Sequence, residues 1–240
     1  MSIVENYIGK VTVAVEVALG EPAIGTVLEG EGYGPTDLQA IKGCIPSVQS
    51  AYQDVLKIDS DLTQATGLLE SNLALVRKEL AALRRSMNNN LPAKSPLFAR
   101  LGMKETQPRK QEALLEFAQR VFGSGLALTD TEAAPLIKRK WDAARFTAAL
   151  DAAKAAVAAN IDQETAKGAA VAATAALYDC VDELDAAFRP FAKDARDLLK
   201  DQPGELTKLG LQTGVVRKPQ RPVPGKSSKP VPPPAPSPAG

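Results

Sequence analysis

The sequence predicts an all-α protein: an elongated bundle of long antiparallel helices, with a short N-terminal β segment and a disordered, proline-rich C-terminal tail. Three observations predict it. Seventeen of the 34 residues from Ala143 to Ala176 are alanine, the strongest helix former, and its small side chain lets a second helix approach closely. Apolar residues recur every seven positions at Val48, Val55, Leu62, Leu69, Val76 and Leu83. Tyr52, Leu73, Leu80 and Met87 form the second seam of that heptad, which Asp59 and Thr66 interrupt. Aromatic residues make up only 5% of the chain, with a single Trp, which suits closely packed helices better than a broad sheet. These patterns divide the chain into an N-terminal arm (1–34), a helical bundle domain (35–212) and a basic proline-rich tail (213–240).

In the arm, Val11, Val13, Val15, Val17 and Leu19 alternate with Thr12, Ala14, Glu16 and Ala18, which is strand periodicity in β-branched residues. The same stretch also fits a helix, because Val4, Ile8, Val11, Val15 and Leu19 fall at helical spacing. As a strand it has no sheet to join in a helical body. Its backbone then seeks a hairpin with residues 23–28 or a second copy of the chain, so Val11, Val13, Val15 and Val17 are candidate partner-binding residues of a homo-oligomer. The stretch from Glu29 to Gly34 reads as a loop, with three glycines in five positions.

In the body, residues 38–42 read as a short helix ended by Gly43, and Pro46 opens a helix that Asn88-Asn89-Asn90-Leu91-Pro92 stops. That helix is about 65 Å long at about 1.5 Å per residue. A shorter amphipathic helix follows over residues 108–122 and ends at Gly123-Ser124-Gly125. In the alanine-rich half, Asn160, Asp162 and Gly168 leave a hairpin or kink open, and Pro190 predicts a bend near Ala186. Two segments share one pattern, Phe98-Ala99-Arg100-Leu101-Gly102-Met103 and Leu206-Thr207-Lys208-Leu209-Gly210-Leu211. A repeated helix stop accounts for the pattern, and a remote duplication of helical hairpins is the alternative.

The tail is the electrostatic opposite of the body. Residues 206–240 hold six cations, no acid and nine of the 18 prolines. The other 23 basic groups face all 28 acids, leaving residues 1–205 at about −5 against about +6 for residues 206–240. Lys229-Pro230-Val231-Pro232-Pro233-Pro234 and Pro236 favour extended polyproline II, a form that partner proteins recognise. Lys229, Pro230, Pro232, Pro233, Pro234 and Pro236 are therefore candidate partner-binding residues, and a solubilising spacer is the bland alternative.

Chemistry is mostly excluded. The chain has no histidine, the commonest general base and metal ligand. Di-iron sites built on Glu-x-x-His and zinc sites built on Cys and His are ruled out with it. Gly30, Gly32 and Gly34 lack the Gly-Lys-Ser/Thr that completes a phosphate loop. Glu112 with Glu116, and Asp179 with Glu183, read as solvated helix faces, and Cys44 and Cys180 as small buried hydrophobes. No catalytic, cofactor-binding or metal residues are assigned, and no cofactor is expected.

Lys138-Arg139-Lys140 beside Trp141 is the most interesting basic cluster of the body. It fits either a helix start whose indole packs inward or a surface for phosphate. The longest uncharged stretches of the body, residues 43–53 and 168–178, are 11 residues each, short of the roughly 20 that span a bilayer. The only early apolar run contains Glu16 and has no convincing cleavage site, so a cytoplasmic location is expected. The function expected is that of a non-enzymatic structural or adaptor protein acting through self-assembly or protein–protein interaction. Nucleic-acid or anionic-membrane binding through the tail and residues 138–141 is the alternative, opposed by the acidic body.

Overall fold

The computed structural model describes residues 3–211 and 218–221. The described residues form helices and no strand: α1 (Ile3–Gly20), α2 (Pro22–Glu29), α3 (Pro35–Asn90), α4 (Pro96–Arg100), α5 (Gln111–Leu126), α6 (Asp130–Ile137), α7 (Ala143–Leu198) and α8 (Pro203–Lys208). Contacts divide the chain into two compact units, Met1–Asp54 with Thr174–Gly240, and Val55–Ala173, whose boundaries fall inside α3 and α7.

The first correction concerns the arm: residues 11–19 are helix, not strand. The buried residues of α1 are Val4, Tyr7, Ile8, Val11, Ala14, Val15 and Ala18, a stripe at spacings of three and four. Burying that stripe outweighs the β propensity of four valines, which measures fit to a pleated surface that this body does not provide. The Thr12 hydroxyl donates to the Ile8 carbonyl at 2.9 Å, closing on the helix one of the polar groups that favours other conformations.

The second correction is that α3 runs unbroken through Gly43 and Pro46. A helix-interior proline costs about 3 kcal/mol and a glycine about 1. Against that, Leu38, Ile41, Ile45 and Val48 are all buried on one stripe, at about 1.5–3 kcal/mol each, so the uninterrupted helix wins. The same holds in α7, which passes through Asn160, Gly168 and Pro190 without a hairpin. α5 likewise continues to Leu126, through the glycines expected to end it, because Gly125 is itself buried against Phe146.

In the unit of residues 55–173, the second half of α3 lies antiparallel to the first half of α7. Gln163 Nε2 donates to Thr66 Oγ1 at 3.1 Å, and the Arg145 guanidinium meets Glu79 at 3.0 Å. The contact alternates large with small: Leu69, Leu73, Val76 and Leu80 share one core with Ala149, Ala153, Ala156 and Ala159. At the other end of this core, Trp141 stacks on Phe122 with centroids 6.4 Å apart and tilts against Phe146 at 5.1 Å. The unit of residues 1–54 and 174–240 fills its interior instead with the α1 stripe, Leu28, Leu38, Val48, Leu184, Phe188 and Phe191.

The two shared stop patterns both close as helix stops. Gly102 and Gly210 take φ of +70° and +67°, a region that strains any residue with a Cβ. The Met103 amide then donates to the Phe98 carbonyl at 2.8 Å, and the Leu211 amide to the Leu206 carbonyl at 3.0 Å.

Candidate interaction surfaces

The four valines of the arm do not share a face. Val11 and Val15 are fully buried, Val17 is half-buried, and Val13 is 47% exposed. Their backbone groups are spent within α1, so no strand edge is offered. Val13 instead borders an open groove between α1 and the start of α3, lined also by Glu5, Ile8, Gly9, Gln49 and Tyr52.

Of the tail, residues 218–221 lie on α7 of the same unit. Lys218 pairs with Asp182 and Arg221 with Asp179, and Arg221 reaches the Ala175 carbonyl at 3.5 Å. Pro219 between them is buried. The charge asymmetry of the sequence is thus used locally. Asp179, half of one candidate carboxylate pair, is a partner for an arginine. Such exposed pairs contribute about 0–1 kcal/mol each and weaken with salt. Lys229, Pro230, Pro232, Pro233, Pro234 and Pro236 lie outside the described residues.

The cluster at 138–141 separates into two roles. Trp141 is 1% exposed, packed inward as the helix-start reading requires, while Lys138, Arg139 and Lys140 stay in solvent. Asp142 caps α7 by accepting from the Arg145 amide at 2.9 Å. The Arg145 guanidinium lies 4.1 Å from the centroid of the Trp141 ring and is held there by Glu79. The indole is therefore committed to the core and to one cation.

Two tyrosines bridge distant parts of the chain, and no local pattern in the sequence announces either. The Tyr7 hydroxyl donates to Asp185 Oδ1 at 3.1 Å, and Arg189 meets Asp185 Oδ2 at 2.7 Å. Asp185 is 8% exposed, the only buried charged residue among those described. Burial first, then the Asp185 charge and the hydrogen bond to it, push the Tyr7 phenol well above its ordinary value. The Tyr33 hydroxyl donates to Asp194 Oδ2 at 2.7 Å. Burial, then the Asp194 contact, push this phenol from 10.0 up to about 12. At the start of α6, the Thr129 amide and hydroxyl both donate to Glu132, at 3.0 and 2.9 Å, and hold its carboxyl below the usual range, with Arg100 adding to the effect.

Glu112 and Glu116 are exposed, and Cys44 and Cys180 are half-buried free thiols rather than fully buried ones. Among the described residues no group of three or more metal-ligating side chains is arranged to hold an ion. No single described helix is long and apolar enough to cross a membrane; α1 and α2 together reach that length and composition, but bend by 93° at their break. No family model, no curated protein and no solved structure matches this chain.

Proposed function

We propose that this chain is a non-enzymatic structural or adaptor protein of the cytoplasm, acting through self-assembly or protein–protein interaction, with residues 213–240 as a tether or partner-binding segment. The observation that carries the reading is the pairing of tail cations with helix carboxylates, Lys218 with Asp182 and Arg221 with Asp179. A segment that finds these acids on its own chain meets the same acids on a second copy. Burial of Trp141 in the core weighs against the alternative of nucleic-acid or anionic-membrane binding, which needs the indole beside Lys138 and Arg139 at the surface.

Light scattering on the intact chain and on a chain ending at Leu211 tests this. Self-association of the intact chain that weakens on removing residues 212–240, or on raising salt, is the expected result. A chain that stays monomeric at every concentration, and that binds duplex DNA or phosphatidylserine vesicles with salt-sensitive affinity, would replace this reading with the alternative.

A further inference from the structure

We infer that this chain is two tandem copies of one helical module, and that the surface each copy leaves open is fitted by a second copy of the same module. The element order carries it first. α1 to α4 have 18, 8, 56 and 5 residues, and α5 to α8 have 16, 8, 56 and 6. The starts of α2 and α6 (Pro22, Asp130), the starts of α3 and α7 (Pro35, Ala143), their ends (Asn90, Leu198) and the stop glycines (Gly102, Gly210) are each separated by the same 108 positions. The buried residues Tyr7, Val11, Ala14 and Ala18 of α1 match Leu114, Ala118, Val121 and Gly125 of α5 at 107, so one residue separates the two registers between the first and second helices.

Backbone detail between the helices repeats at the same spacing, and helical periodicity cannot produce that. After α2, Gly32 has φ +92° and the Tyr33 amide donates to Leu28 at 3.0 Å. After α6, Lys140 has φ +63° and the Trp141 amide donates to Leu136 at 3.1 Å. Lys140 is the one non-glycine residue with positive φ among those described, and it stands where the other copy has glycine. Along the long helices, Leu69, Val76, Leu80 and Leu83 correspond to Leu177, Leu184, Phe188 and Phe191, all of them buried. One orphan is explained as well. The buried Ser86 hydroxyl has no hydrogen-bond partner; its counterpart is Asp194, which accepts from Tyr33, and the counterpart of Tyr33 is Trp141, which has no hydroxyl to give.

Each compact unit is built from both copies. One takes α1, α2 and the start of α3 from the first copy, with the end of α7 and α8 from the second; the other takes the complementary set. The closing turns agree. A Cβ on Gly102 would lie 3.7 Å from Arg120, and one on Gly210 would lie 4.0 Å from Val13, positions that correspond in α5 and α1. The stop of each copy therefore sits on the first helix of the other. A module alone would leave the apolar stripe at the end of its long helix uncovered, and the partner that fits the stripe is another such module.

The test cuts and rejoins the whole chain. A specific protease site placed within residues 104–110 allows the folded protein to be nicked between the copies. A permuted chain begins at Gln111, runs to Leu211, continues through residues 104–110 moved to that junction into Ile3, and ends at Met103. Expected are nicked pieces that stay together at the mass of the intact chain with full helicity, and a permuted chain that melts within a few degrees of the nicked one. Pieces that separate or lose helix overturn the inference. So does a permuted chain without helix beside a nicked chain that keeps it, because equivalent copies need equivalent connections.

Discussion

The turn after α2 and the turn after α6 have one backbone and opposite chemistry. Each places an aromatic residue two positions before a long helix, with its amide bonded to a leucine carbonyl five residues back. At Tyr33 the ring meets Phe191 edge-on, with centroids 5.5 Å apart, and its hydroxyl reaches Asp194. At Trp141 the larger ring packs on Phe122 and Phe146 and is covered by Arg145, while the buried Ser86 hydroxyl, at the position corresponding to Asp194, goes unbonded. One corner is held by a charge-assisted hydrogen bond and the other by packed area. The backbone turn is thus the persistent feature, and either physics can anchor a ring on it.

The largest effect should come from the packed corner. Trp141→Ala is expected to lower stability by about 3–5 kcal/mol, a core aromatic deletion, measured by urea unfolding with helicity as the signal. A loss below about 1 kcal/mol would mean that the indole does not anchor its unit. Next is Gly125→Ala. A methyl there would stand 2.3 Å from the Phe146 ring, which is itself buried, so overpacking of about 1–3 kcal/mol is expected. Ala18, its counterpart in α1, already carries the methyl, so the penalty belongs to the aromatic corner alone.

Tyr33→Phe breaks the polar corner by less, about 1–3 kcal/mol, since it removes a hydrogen bond to a carboxylate. Its signature is in pH. A phenol raised from 10.0 to about 12 keeps its proton longer in the folded state, so its stabilisation is complete below pH 10 and lost as pH rises toward 12. Tyr7 should act in the same direction from the same starting pH. The double variant Tyr7→Phe/Tyr33→Phe should therefore show a shallower fall in melting temperature between pH 10 and 12 than the parent; equal slopes would show that neither phenol carries the alkaline limb. Smallest is Ser86→Ala, expected to be neutral or slightly stabilising because it removes a buried hydroxyl with no partner, whereas Asp194→Ala at the corresponding position should destabilise.

The helical class and the buried part of the heptad stripe, Leu69 to Met87, are legible as local patterns. Trp141 and the two glycine stops each admit two readings in the sequence, and burial of the indole and positive φ at Gly102 and Gly210 select the inward ring and the helix stop. Val11 to Leu19 satisfied two periodicities at once, and only the neighbours that cover Val11 and Val15 choose between them. Gly43 and Pro46 look like a boundary in the sequence for a related reason: a breaker's cost is local, whereas the burial that overrides it is collected along the whole stripe. The tyrosine bridges were beyond reach, since Tyr7 and Asp185 are 178 positions apart and nothing near either residue marks the other.

Propensity and side-chain size, residue by residue, set the helices rich in Ala and Leu, the stops at Gly102 and Gly210, a basic tail and a body without histidine. The tertiary structure decided which residues share a core. The copies resemble each other in burial and turn geometry far more than in residue identity, because a core position asks only for an apolar side chain of suitable volume and a turn asks only for a permitted φ. Leu80 and Phe188, or Gly32 and Lys140, can therefore hold the same place in two copies while looking unrelated in the chain.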